Sequence, residues 1–381
     1  MKKLAIVGKG TAGCMNVGHF LKYTDWEIDW YFDSNIKPQP VGEGGFVGFT
    51  QQLHDLFGFT HSDLHLIDGN FKTGVKKIGF SEKPILNYFA PPAVGYHFNA
   101  VKLQEYIVKH TSSNPRIKLI DKNIANENID SDFVIDCSGR PTTFDDYSTT
   151  SSIPVNGAYI TQCYWDYPKF NETLTIARPY GWVFCVPLRN RCAVGYVYNT
   201  DINNVDDIKD DVVNVFEEYQ LIPSENTGTF SWKNYFRKEN FTKRIVYNGS
   251  ASMFLEPMET TPLWLSTKVQ QLAFDQWNNN IPVEVVNSYF LQLVSEIETI
   301  ILLHYFSSNT YNTSFWKHAR LSAYNHIVSK ADDSKFKELL KVIDPTVPVF
   351  EIQYAMWEYW NLKLNLGNLD LYPRLNNLIN D

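Results

Sequence analysis

Cysteine is scarce in this 381-residue chain, and the five present (Cys14, Cys137, Cys163, Cys185 and Cys192) form no C-x-x-C pair and have no histidine partner at zinc spacing. So few thiols, scattered and odd in number, exclude a disulfide framework and a zinc ribbon; they suit a reducing, cytoplasmic setting, and no metal site is expected. Basic residues are also short, 34 Lys and Arg against 42 Asp and Glu, for a net charge of -8. That balance argues against wholesale binding to nucleic acid or to an anionic membrane and makes a small molecule the default partner. No stretch approaches the roughly 18 uncharged apolar residues of a membrane span, so none is expected. The opening MKKLAIVGKG pairs two lysines with an apolar run that stops at Gly8, short of a signal-peptide core. Repeats, low-complexity tracts and Pro/Gly/Ser linkers are missing as well. Residues 1–381 therefore read as one continuous catalytic module, with a nucleotide-binding core over about 1–265 and a helical substrate-side region over about 266–381.

Aromatic side chains are plentiful: 10 Trp, 22 Tyr and 25 Phe offer flat surfaces for a ring-shaped ligand or cofactor, or simply an aromatic core. Residues 3–7 form a short apolar run, followed by Gly8-Lys9-Gly10-Thr11-Ala12-Gly13 and a helical stretch to about Tyr23. A second strand at 26–32 ends in Asp33, which completes a β-α-β unit with a right-handed crossover. Short alternating segments over about 70–198 predict extra sheet. Residues 129–137 predict another buried strand, closing in the turn Ser138-Gly139. From about Ser266 apolar residues recur at three- and four-residue spacing, notably over 286–304 and 336–343, which predicts helices.

Gly8, Gly10 and Gly13 match G-x-G-x-x-G in the context that gives it meaning, after a strand and opening a helix. The first glycine permits the tight turn, the second lets the backbone approach a pyrophosphate, and the third lets helix and strand pack closely. The phosphates would sit at the positive helix terminus beside Thr11 and Ala12, and Asp33 stands where a carboxylate accepts bonds from ribose hydroxyls. The pattern indicates a dinucleotide and leaves FAD and NAD open.

Several segments, taken in order, resemble the flavin-dependent tryptophan halogenases. Gly8 to Met15 is similar to that family's glycine loop, and Pro40-Val41-Gly42-Glu43-Gly44 to its V-G-E segment beside the flavin. Gly95-Tyr96-His97-Phe98-Asn99-Ala100 resembles Y-H-F-D-A, with Asn99 in place of the aspartate, and Asp136-Cys137-Ser138-Gly139 resembles the D-C-S/T-G turn at the FAD site. Gly181-Trp182-Val183-Phe184-Cys185-Val186-Pro187 is similar to W-x-W-x-I-P, followed by Gly195-Tyr196-Val197-Tyr198. Phe254-Leu255-Glu256-Pro257-Met258-Glu259-Thr260-Thr261 resembles F-x-E-P-L-E-S-T. The likeness spans most of residues 1–320 and fades in the last sixty.

This resemblance implies a Rossmann-like α/β FAD-binding fold of the flavin monooxygenase and halogenase type, with added β-sheet and a mostly helical C-terminal part. It implies FAD, delivered reduced by a separate flavin reductase, and a halide (bromide, iodide or chloride) oxidised to hypohalous acid that halogenates an electron-rich aromatic substrate. Flavin contacts are expected from Gly8, Gly10, Thr11, Ala12, Gly13, Asp33, Val41, Glu43, Gly44, Asp136, Gly139 and Leu263. Asn70-Phe71-Lys72 matches the family's F-K segment, which puts Lys72 forward as the amine that holds the oxidant; Lys76 and Lys77 are rivals. A single strand over 72–80 would put Lys76 on the face of Lys72 and turn Lys77 away. Glu259 corresponds to the carboxylate that would stabilise the arenium intermediate or accept its proton, while Glu256 is assigned to structure. Trp182 and Phe184, with Pro187, stand where the family walls substrate from flavin; Phe184 keeps the aromatic surface and loses an indole donor.

The family's halide is held by backbone N–H groups just after this glutamate, matching Thr261 and Pro262. Pro262 has no N–H. Unless the Thr260 or Thr261 hydroxyl substitutes, the site binds anions less strongly, which favours weakly hydrated bromide and iodide over chloride. The divergent C-terminal part points to an open site taking varied phenols and indoles. An FAD-dependent aromatic monooxygenase and a non-catalytic flavin-binding protein are the alternatives.

Overall fold

Leu4, Ala5 and Ile6 are wholly shielded from solvent, as a parallel strand covered on both faces requires. In the computed structural model, which describes residues 1–36, 42–307, 310–344, 346–367, 369, 371 and 375, the strand Lys3–Val7 pairs in parallel with Glu27–Phe32 on one side and Phe133–Asp136 on the other. Ile117–Asp121 and Ile245–Tyr247 extend the sheet to five strands, all parallel. The helix Thr11–Tyr23 connects the first two strands, as the glycine turn predicts. Of the strand expected over 129–137 only Phe133–Asp136 forms. The Arg244 guanidinium takes the carbonyls of Ile129 and Ser131, so these oxygens are held by a side chain instead of a strand partner.

The chain divides into two compact units. The first comprises Met1–Phe71, Gly95–Thr149 and Tyr235–Val294 and contains this sheet. Its helix Ala100–Thr111 is capped by Asn99, whose carboxamide oxygen accepts the Val101 and Lys102 N–H groups at 3.1 and 3.4 Å. Asparagine caps as well as aspartate, so the exchange at Asn99 removes a charge and keeps the helix start. Helices Val47–Phe57 and Thr261–Asn278 also belong to this unit. The second of these begins five residues before the expected Ser266, with Pro262 in its first turn, where a missing N–H costs the helix nothing.

The second unit comprises Lys72–Val94, Thr150–Asn234 and Ser295–Asp381. Its seven-stranded sheet runs Ile222–Ser231, Gly157–Tyr164, Arg191–Tyr198, Gly181–Pro187, Glu172–Arg178, Gly74–Ile78, Ile85–Tyr88, and only Glu172–Arg178 with Gly74–Ile78 is parallel. Helix Val205–Glu218 lays Ile208, Val212, Val215 and Phe216 on the face formed by Val183, Cys185, Val194 and Tyr196. Ser314–Ser329 and Ser334–Ile343 are among the helices of the C-terminal part.

Helix Val283–Tyr305 contributes residues to both units and meets the length and composition of a membrane span, with a mean hydropathy of 1.3 over its most apolar window. Counting uncharged runs in the sequence missed this. Of that window 56% is buried within the protein. Two of the helix's carboxylates are satisfied inside the second unit, Glu298 by the Thr150 hydroxyl at 2.7 Å and Glu296 by the Ala355 N–H, so its apolar surface serves packing.

Candidate active site

The glycine turn is built by backbone contact. At Gly8, with φ +107°, an added Cβ would lie 2.2 Å from the Cys137 carbonyl oxygen, and at Gly13 it would lie 2.1 Å from the Gly8 oxygen. Gly10 is the reverse case: its φ is -71° and nothing lies within 4 Å of where a Cβ would be. No side chain caps the first N–H groups of helix Thr11–Tyr23, so the positive helix end faces open space, as an anion site requires. Gly139, φ +109°, likewise has nothing within 4 Å of its missing Cβ. Asp136 fixes that second turn, accepting the Ser138 N–H at 2.9 Å and the Asn126 carboxamide at 2.7 Å. These open positions suit a dinucleotide.

Asp33 follows the second strand. Its carboxylate accepts two bonds from Asn35 at 2.9 Å and one from Asn123 at 3.2 Å, and the Asn35 N–H foremost holds it below the usual carboxylate range. Glu43, in the strand Gly42–Gly44, faces the Thr11 hydroxyl at 3.5 Å, which in turn accepts from Gln104 at 3.3 Å. Burial pushes the Glu43 carboxyl up to about 7. Ala12 meets Gly249, where an added Cβ would stand 2.9 Å from its own. Val41 lies outside the described residues.

The segment around Glu259 is strained. Glu259 (φ 59°, ψ 15°) and Thr260 (φ 62°, ψ 21°) are both left-handed, an outlier for β-branched threonine. Such residues cost about 1–3 kcal/mol each and cluster at functional sites. The Thr261 N–H and its hydroxyl both turn to the Met258 carbonyl, the hydroxyl at 3.2 Å. Neither of the two halide positions therefore points a backbone donor outward: Thr261 has spent its N–H locally and Pro262 has none. Leu263 sits half-buried in the first helical turn, Glu259 is half-buried, and Glu256 is fully buried.

In the second unit Lys72 is 2% exposed. The lysine alternation differs from the sequence expectation. Strand Asn70–Lys72 ends at Lys72 and a new strand, Gly74–Ile78, begins after Thr73, whose N–H goes to the Asn171 carbonyl and whose carbonyl accepts from Phe89. This break resets the two-residue period, so Lys77 is buried with Lys72 while Lys76 is half-exposed. The Lys77 ammonium is 2.7 Å from His304 Nε2 and also bonds Asn365; His304 Nδ1 lies 2.7 Å from the Ile300 carbonyl. This trio was missed by sequence reasoning, and its members lie too far apart along the chain for any motif to join them.

Trp182 and Phe184 share one face of Gly181–Pro187, their rings 6.1 Å apart and tilted by 57°. The Trp182 ring N–H donates to the Tyr305 hydroxyl at 2.8 Å. Gly195 opposes Phe184, and an added Cβ there would fall 2.1 Å from that ring. Pro187 is buried at the strand end.

A protein-family comparison matches the tryptophan halogenase model over residues 93–337. Tryptophan 6-halogenase SttH of Streptomyces toxytricini is 23% identical over 323 residues, 73% of this chain and 58% of SttH. Tryptophan 7-halogenase KtzQ of Kutzneria sp. (strain 744) is 23% identical over 150 residues, 38% of this chain and 28% of KtzQ. The chain thus spans less than two thirds of either relative. In fold, the tryptophan halogenase of Shewanella frigidimarina NCIMB 400 superposes with a TM-score of 0.80 at 17% identity, over 100% of this chain and 93% of that one. BrvH, a flavin-dependent halogenase from Brevundimonas sp. BAL3, does so with 0.78 at 17% identity, over 99% and 92%. With a family model that matches well over half its length, an α/β fold shared with these structures and the ordered motifs above, this chain belongs to the tryptophan halogenase family.

Proposed function

We propose that the chain is a flavin-dependent halogenase that places bromine or iodine on an electron-rich aromatic substrate. The observation that carries this reading is the burial of Lys72, an amine withdrawn from water at the position that the family resemblance marks for holding the oxidant. Gly10, Thr11, Ala12 and Gly139 would hold the FAD pyrophosphate, Asp33 the ribose, and Glu43 with Gly44 the flavin side. Reduced FAD, provided by a separate reductase, supplies with oxygen the oxidising power that turns halide into hypohalous acid. Lys72 retains that acid, either through a hydrogen bond or as a haloamine formed with release of water. Glu259 receives the proton that leaves the ring when halogen replaces it, and its strained backbone would hold the carboxylate in one orientation. Trp182 and Phe184 would serve as the aromatic wall that the family resemblance implies. The substrate class is open, covering phenols and indoles.

The test is mass spectrometry of products from an aromatic panel with FAD, a reductase and each halide, comparing the parent with Lys72→Ala. Halogenated product in the parent, and at least about a hundredfold less in the variant with FAD binding intact, is expected. Equal product from both would overturn the role of Lys72. One observation favours the monooxygenase reading: the donors at Thr261 and Pro262 are turned away or missing. Oxygenated product formed equally well without halide would establish it.

A further inference from the structure

The open end of helix Thr11–Tyr23 has a carboxyl group beside it. Glu43 Oε1 accepts from the Thr11 hydroxyl at 3.5 Å, and Thr11 is the first residue of that helix. Gln104, from helix Ala100–Thr111, donates to the same hydroxyl at 3.3 Å and so holds it in place. The first N–H groups of the helix have no side-chain cap, so an acid and the donors for a pyrophosphate share one end of one helix. Those donors draw negative charge to the spot, but they cannot hold two anions there freely, because like charges a few ångströms apart repel.

Among the described residues no cation pairs with Glu43, whose hydrogen-bond partner is the Thr11 hydroxyl. The Lys102 ammonium turns to Asp68 at 2.8 Å, and the Lys9 ammonium lies over the Phe32 ring, 4.1 Å from its centroid. Where Gly42–Gly44 pairs with Gly95–Asn99, Glu43 stands opposite Phe98, so His97 and Asn99 project to the other face. Helix Val47–Phe57 has no ionisable residue before His54. Withdrawal from water, only partly opposed by the Thr11 hydroxyl, brings the Glu43 carboxyl to about 7, so near neutral pH it is divided between acid and carboxylate.

We propose that Glu43 is a proton-linked gate on the dinucleotide: the carboxylate repels the pyrophosphate from the helix end, the neutral acid admits it, and FAD therefore binds with uptake of a proton from solvent. On protonation the side chain also changes from acceptor to donor, able to bond a phosphate oxygen instead of facing it with another anion. The gate rests on the reading of the glycine turn as the FAD site. Its sign follows from linkage, since the complex holds the proton more tightly than the free protein. Affinity is constant while both are protonated, falls as pH rises through the free protein's value, and levels off once the complex has also lost the proton. With a like charge a few ångströms away, the loss between the two plateaus should be about 10- to 100-fold.

The test is the Kd of FAD for the full chain, read from flavin fluorescence between about pH 5.5 and 9.5 at constant ionic strength. The parent is expected to bind evenly at the acid end and to weaken by up to about tenfold per pH unit above neutrality. Glu43→Gln, neutral at every pH, is expected to show one Kd throughout. Calorimetry of the parent in buffers of different ionisation enthalpy checks the proton without any variant, and above neutrality binding should take up close to one proton per FAD. A parent that binds FAD equally well across the window, or without proton uptake, would overturn the gate and leave the FAD site standing. So would a pH dependence that persists in Glu43→Gln. A parent that binds no FAD at any pH would overturn the FAD site and the gate together.

Discussion

Replacing Gly10 and Gly13 separately by alanine distinguishes a glycine needed for cofactor access from one needed by the fold. At Gly13 the new methyl would stand 2.1 Å from the Gly8 carbonyl oxygen, against 3.4–4 Å for ordinary contact. That oxygen is backbone, and it accepts the Trp30 ring N–H at 2.9 Å, so it cannot yield cheaply. The gain in helix propensity of about 1 kcal/mol is outweighed by overpacking of about 1–3 kcal/mol or more. A net loss near 1–2 kcal/mol lowers Tm by several degrees, at about 2–4 °C per kcal/mol for a domain of this size. At Gly10 the backbone already suits alanine and the methyl enters empty space, so the cost without cofactor is at most about 1 kcal/mol, that of an altered N-cap. If FAD binds as proposed, the same methyl would meet its pyrophosphate. With FAD at a hundred times its Kd the parent gains about 2.7 kcal/mol, whereas a hundredfold weaker variant gains only about 0.4 kcal/mol. Thermal unfolding with and without FAD reads both effects. A Gly10→Ala protein with the parent's full FAD-induced rise, or a Gly13→Ala protein that melts with the parent, would refute the reasoning.

Competing halides on one acceptor should give bromide and iodide products in excess over chloride, and Pro262→Ser, which restores an N–H, should raise the chloride share by up to about tenfold; chloride incorporation matching bromide in the parent refutes this. Glu43 makes stability depend on pH: its folded value of about 7 exceeds the ordinary 4.5, so the folded state binds the proton more tightly. Its contribution is present below pH 4.5 and lost as pH rises through 7, which denaturant melts across that window will show as a decline that Glu43→Gln flattens. Trp182→Phe removes the bond to the Tyr305 hydroxyl and should cost about 1–2 kcal/mol in urea unfolding. In a double-mutant cycle with Tyr305→Phe the two losses should be less than additive.

The strand, glycine turn and helix at the start of the chain were legible because the physical demands on them are local. The run Leu4–Val7, the three glycines and the helix after them are neighbours in sequence, and the physical demand on each, burial or a missing Cβ, falls on that residue alone. The Asn99 cap is just as local, needing only the next three residues, yet it was not read from the sequence. Strand limits were less legible where a distant side chain intervened, as Arg244 does at residues 129–131. The lysine faces were misjudged for a related reason. Alternation presumes an unbroken strand, and the break at Thr73 is made by partners at Asn171 and Phe89.

By itself the sequence determined a β-α-β unit with its glycine turn and the family, since motif spacing and periodicity are properties of adjacent residues. Tertiary structure alone decided that Lys77 is buried against His304 and Asn365 and that the Thr261 N–H is consumed by Met258. It also decided that each unit is assembled from three separate stretches of chain. Burial and hydrogen-bond pairing are set by whichever residues the fold brings near, and for these groups most of those neighbours lie tens to hundreds of positions away.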